Sequence, residues 1–141
     1  MTVEFRDTVR IAAPATVVAD IMKAVEGWPG WTASVSNVTR TATGPLGVGE
    51  VVVVKQPKLP ASTWTVTRAE PTGFEWTASS PGIRNVAGHW ATDNGDGTCT
   101  AELTLSFAGP AARLTTFFYQ GLIRRYVAME AAGLKHAAES R

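Results

Sequence analysis

Apolar residues recur in steps of three and four through the last quarter of the chain, at Leu114, Phe117, Phe118, Leu122, Ile123, Tyr126, Val127, Met129 and Leu134. That spacing predicts one long helix. Pro110 suits its first turn, where an N–H would lack an intrahelical partner anyway. The charges gather at Arg124, Arg125, Glu130, Lys135, Glu139 and Arg141, so one side is predicted wet and the other dry. A helix of about 28 residues is about 40 Å long, and its aromatic surface requires a large apolar partner.

Upstream the period changes to two. Over residues 2–12, Val3, Phe5, Val9 and Ile11 alternate with polar residues, interrupted at Asp7-Thr8, which predicts a first strand with a kink. Pro14 opens a short helix over 15–25 whose stripe is Val17, Val18, Ile21, Met22 and Val25. The Gly27-Trp28-Pro29-Gly30-Trp31 segment ends it. Six further strands follow, over 35–41, 51–56, 62–69, 74–79, 84–92 and 98–107, separated by Gly- and Pro-rich turns. The last turn, Asp93-Asn94-Gly95-Asp96-Gly97, is a strong hairpin signal. The order β-α-β-β-β-β-β-β-α predicts an α+β domain over 1–141, in which an antiparallel meander wraps the long helix.

Composition agrees with a single domain that builds its own core: 141 residues, 45% hydrophobic and 18% charged, with a net charge of +1. No basic excess attracts nucleic acid, so none is expected as a partner. Cys99 is the one cysteine and cannot form an internal disulfide; the first 25 residues lack a secretory pattern, and no window approaches the roughly 18 consecutive apolar residues of a spanning helix. The expectation is a cytoplasmic protein without a transmembrane segment, either monomer or homodimer.

The element order and several local strings resemble the START-like superfamily, which includes the birch pollen allergen and the polyketide cyclases. The strings are Ile11-Ala12-Ala13-Pro14-Ala15, the Val25 to Trp31 segment, Pro45-Leu46-Gly47-Val48-Gly49-Glu50, Trp64-Thr65-Val66, Phe74-Glu75-Trp76, Gly88-His89-Trp90 and Glu130-Ala131-Ala132-Gly133-Leu134-Lys135. The resemblance implies a helix-grip fold: a curved seven-stranded antiparallel sheet around the C-terminal helix, with a cavity between them.

Strand alternation then assigns candidate walls. Trp64 and Val66, Phe74, Trp76 and Ala78, and Cys99, Ala101, Leu103, Leu105 and Phe107 form inward rows. Cys99 there acts as a small buried hydrophobe. In 84–92 the period leaves two rows open, Val86, Gly88 and Trp90 or Ala87, His89 and Ala91. If the second faces the cavity, His89 is a titratable group on an apolar wall, able to exchange hydrogen bonds and, with a pKa near neutrality, to act as general acid or base. Arg84, at the mouth of that strand, could reach a ligand carboxylate or phenolate. Tyr119 and Tyr126, seven apart on one helix side, point hydroxyls inward, and Gln56 sits at the cavity edge. Trp28 and Trp31 are placed over one end, since indoles beside Gly and Pro would otherwise be exposed. His136 faces solvent.

No zinc-ligand spacing, phosphate loop or Gly-x-Ser-x-Gly elbow occurs, so no metal or cofactor is expected. Three functions remain. The first is binding of a hydrophobic or aromatic small molecule, such as a polyketide or lipid. The second is a polyketide cyclase or dehydratase in which His89 and a tyrosine move protons. The third is a protein-interaction module of chaperone-activator or toxin-like type.

Overall fold

The computed structural model describes residues 2–141. Its elements are β1 (Thr2–Ile11), α1 (Ala15–Lys23), a 3-10 helix (Val25–Gly30), β2 (Asn37–Arg40), β3 (Val51–Lys55), β4 (Ser62–Glu70), β5 (Gly73–Ser80), β6 (Ile83–Asp93), β7 (Cys99–Ala108) and α2 (Ala112–Glu139). The strands form one antiparallel sheet in the order β1-β7-β6-β5-β4-β3-β2. α2 lies against β1, β7 and α1. This is the helix-grip arrangement, and no helix among the described residues is long and apolar enough to cross a membrane.

The expected kink in β1 is absent. Every residue from Thr2 to Ile11 pairs with β7, Asp7 with Leu103 and Thr8 with Glu102. Asp7-Thr8 interrupts the hydrophobic pattern but not the backbone ladder, which needs no apolar side chain. A bulge occurs instead between Val66 and Arg68 on β4. β2 is shorter than its apolar run, and Val35, outside the ladder, is nevertheless buried. α1 stops at Lys23 because Ala24 leaves helical geometry at ψ 66°. In the β6–β7 turn, Gly95 and Gly97 take φ of +84° and +86°, conformations that cost glycine nothing.

α2 is seated by its C-terminal half, where Tyr126, Val127, Ala131, Leu134 and Ala138 are buried. Gly133 permits the closest approach: a Cβ there would lie 2.0 Å from the Trp31 carbonyl oxygen. The dry side does not run the whole length of the helix, contrary to the periodicity. Leu114, Phe117 and Phe118 are 63–70% exposed, while Ala112, Thr116 and Ile123 take the inward positions. At this end the helix and the sheet enclose a cavity instead of packing together.

Candidate functional site

The cavity has two chambers between the concave sheet face and α2. The outer one is about 270 Å³, walled by Trp64, Ala78, Asn85, Leu105 and Phe107 from the sheet, by Leu59 and Pro60 from the loop after β3, and by Tyr119, Leu122, Ile123 and Tyr126 from α2. The inner one is about 60 Å³ and ends on Trp28, Trp76, Ala87, His89 and Leu103. Gln56, Trp64, Leu105, Val127 and Glu130 line both chambers. These five therefore form the neck.

The ambiguity on β6 is resolved by burial. Ala87, His89 and Ala91 are buried on the inner face, whereas Trp90 carries the Arg68 guanidinium 4.6 Å above its ring. The His89 imidazole stacks on Phe74 with ring centroids 4.3 Å apart and meets Trp76 edge-on at 5.6 Å. Its Nδ1 lies 3.4 Å from the Phe74 carbonyl oxygen; a carbonyl only accepts, so Nδ1 carries the proton. Burial lowers the pKa of His89 to about 4, outweighing that hydrogen bond, which acts in the opposite direction. The expected near-neutral pKa is thus corrected: the ring is enclosed by aromatic side chains that cannot stabilise an imidazolium against lost water.

Glu130 belongs by its charge to the predicted wet side of α2, yet it stands at the neck. It follows Tyr126 by four residues and Ile123 by seven, and so shares their face; that offset is the signal that could have found it. No hydrogen bond or ion pair holds its carboxyl group among the described residues, and the surface it retains faces the cavity. Desolvation raises its pKa to about 8, so at neutral pH it is a carboxylic acid with a proton to donate.

The other candidates fall into two groups. Trp64 and Trp76 line the chambers, and Trp64 is oriented by a 2.8 Å hydrogen bond from its Nε1 to Ser62 Oγ. Tyr119 stands half-exposed at the rim, and the buried Tyr126 donates its hydroxyl to the Pro57 carbonyl, tying the loop to α2. Trp28 closes the inner end of the cavity as a floor: it is buried, and its Nε1 donates to the Met22 carbonyl at 2.9 Å. Trp31 is outside the cavity, against Trp28 at 5.6 Å and beside Gly133. Arg84 is exposed on the outer face of β6; strand alternation gives the inner position to its neighbour Asn85. A larger open cleft of about 870 Å³ runs between α1 and the β2–β3 loop, but its Arg40 is already engaged by Glu50 at 2.5 and 2.8 Å.

The buried His89 and the half-buried Glu130 at the neck act oppositely on stability. His89, lowered from 6.5 to about 4, favours folding increasingly as pH rises across that interval. Glu130, raised from 4.5 to about 8, keeps in the folded state a proton that the unfolded chain releases, so its contribution falls as pH rises from 4.5 to about 8. Above pH 6.5 only the Glu130 slope remains of the two. Unfolding free energy measured by denaturant titration should therefore drop between pH 6.5 and 8 by about 1 to 2 kcal/mol, and Glu130→Gln should remove that drop. A slope unchanged in the variant would place the carboxyl group in water.

The model of the family described as polyketide cyclase / dehydrase and lipid transport matches residues 2–139. The chain belongs to this family. Among solved structures, it is similar to the Zhui aromatase/cyclase from Streptomyces sp. R1128, at 18% identity and a TM-score of 0.79, covering 100% of this chain and 96% of that one. A START superfamily protein from Mycobacterium smegmatis matches at 14% identity and TM-score 0.74, with 97% of each chain covered. Norcoclaurine synthase from Thalictrum flavum matches at 11% identity and TM-score 0.75, covering 100% and 88%. At such identities the likeness is one of fold. No curated protein matches the sequence. Polyketide cyclase / dehydrase family membership and the START-like fold agree with a protein built to hold a ligand.

Proposed function

We propose that the protein binds a hydrophobic or aromatic small molecule, of polyketide or lipid type, in the two-chambered cavity between the sheet and α2. The observation that carries this reading is the cavity itself, apolar-walled, held open by regular elements, and narrowed at one neck where a single acidic group stands. Its walls are ordered in advance, so a ligand is spared part of the entropic cost of organising them. Protonated Glu130 donates a hydrogen bond to a ligand oxygen at the neck, while stacked rings at the inner end receive its apolar terminus.

Three indoles border the cavity, whereas Trp31 and Trp90 lie outside it, which provides the test. Titration with 1-decanol, which does not absorb where tryptophan emits, should shift the intrinsic fluorescence saturably. The shift should shrink strongly in Trp64→Phe and Trp76→Phe and persist in Trp31→Phe. Binding of decanol with no change in emission, or a shift carried by Trp31, would refute the assignment.

One observation favours a second reading, conversion of the bound molecule by cyclisation or dehydration. Glu130 is an acid with a pKa of about 8, suited to giving and retaking a proton near neutral pH. In that reading the proton donor is Glu130 and not His89, which is neutral above pH 5 and already donates to Phe74.

A further inference from the structure

The rim of the outer chamber is built from the loop after β3, the β5–β6 turn and the first turns of α2, with Leu59, Pro60, Ile83, Thr115 and Tyr119 around the opening. The Ala111 N–H donates to the Gly82 carbonyl at 3.0 Å and fastens the turn to the helix. Immediately beside this opening Leu114, Phe117 and Phe118 are 63%, 70% and 70% exposed, and Tyr119 is 47% exposed. The two phenylalanine rings meet edge-on at 5.3 Å. Such a cluster of large apolar side chains in water marks an interaction surface.

Charge identifies its partner. Residues 55–63, 79–86 and 109–125, which make this end of the molecule, carry six of the 13 Lys and Arg residues and none of the 12 Asp and Glu residues. Lys58, Arg84, Arg113 and Arg125 are exposed, whereas the Lys55 ammonium donates to the Gln56 and Leu59 carbonyls and Arg124 lies over the Phe5 ring beside Asp7. The rest of the chain has seven cations against twelve anions. The near-neutral net charge therefore conceals a strongly polarised molecule. On the adjoining end of β1, Glu4 is paired with Arg6 at 3.3 Å. We propose that this end docks on an anionic lipid surface, with Leu114, Phe117 and Phe118 entering the headgroup region and the surrounding cations meeting the lipid charges, so that the cavity opens onto the bilayer.

The observations favour a membrane over other occupants. A twofold contact with a second copy through this face would set six cations against six. An acidic protein would satisfy the charge, but the rings project from the outer side of a helix, the form in which apolar side chains enter an interface. Docking is independent of cavity occupancy, since decanol binding in solution requires no vesicle.

The test is co-sedimentation with phosphatidylserine-containing vesicles and with pure phosphatidylcholine vesicles. The protein should partition to the anionic vesicles and be released by salt. Each cation near such a surface contributes roughly fivefold to partitioning, so Lys58→Gln with Arg84→Gln should weaken it by roughly 25-fold. Phe117→Ser with Phe118→Ser should weaken it by about tenfold or more, and circular dichroism should show an unchanged fold, since both rings are already in water. The proposal is overturned if anionic vesicles are not bound. It is also overturned if the ring substitutions leave binding intact, as an acidic-protein site would require. Self-association of the wild type that disappears in the ring variant would equally overturn it and assign the patch to a second copy.

Discussion

Glu130→Gln is expected to leave decanol affinity within severalfold of wild type and to reduce, by about 10²- to 10⁴-fold, any proton-transfer conversion of a bound polyketide intermediate. Glutamine keeps the size of the side chain and can still donate a hydrogen bond through its amide, but it has no proton to release. The pH dependence separates this residue from its neighbour. A reaction that uses the Glu130 acid should be level from pH 5 to 7 and decline as pH passes about 8, where the carboxyl group ionises. A reaction that used imidazolium at His89 would already be extinguished over the whole of that range, because His89 loses its proton near 4. Turnover equal to wild type in Glu130→Gln would remove the second reading altogether, leaving the protein as a carrier. Unchanged turnover in His89→Phe is the expected companion result.

The architecture was readable because turn signals separate the strands and several of them carry period-two alternation on a sheet with one covered face: Trp64 and Val66, Phe74 and Trp76, and Ala101 and Leu103 all face inward as their spacing requires. The site was less legible. His89 could be placed on either side of β6, since both rows contain small residues and an aromatic or imidazole ring; the packing of Phe74 and Trp28 against it decided the matter. Its pKa could not be read locally, because the desolvating rings arrive from β5 and from the 3-10 helix. Glu130 was concealed by its own charge, which suggests water unless its offset from Tyr126 is followed. Arg84 and Asn85 show how a one-residue change of position on a strand exchanges the inner face for the outer. Phe117 and Phe118 obey helical spacing yet remain in solvent, because periodicity marks an apolar face without telling whether anything covers it.

Occupation of the outer chamber by a ligand can be tested directly at Ala78. Its side chain ends at the chamber wall on β5, where additional volume projects into empty space rather than into packed core, so Ala78→Trp should fold normally while filling the room a ligand needs. The decisive measurement is calorimetric titration of wild type and Ala78→Trp with decanol, alongside a thermal melt of each. Saturable binding by wild type, no detectable binding by Ala78→Trp and cooperative melts for both are expected. A folded Ala78→Trp that binds decanol as tightly as wild type would contradict occupation of this chamber, because the ligand would then lie somewhere other than between the sheet and α2.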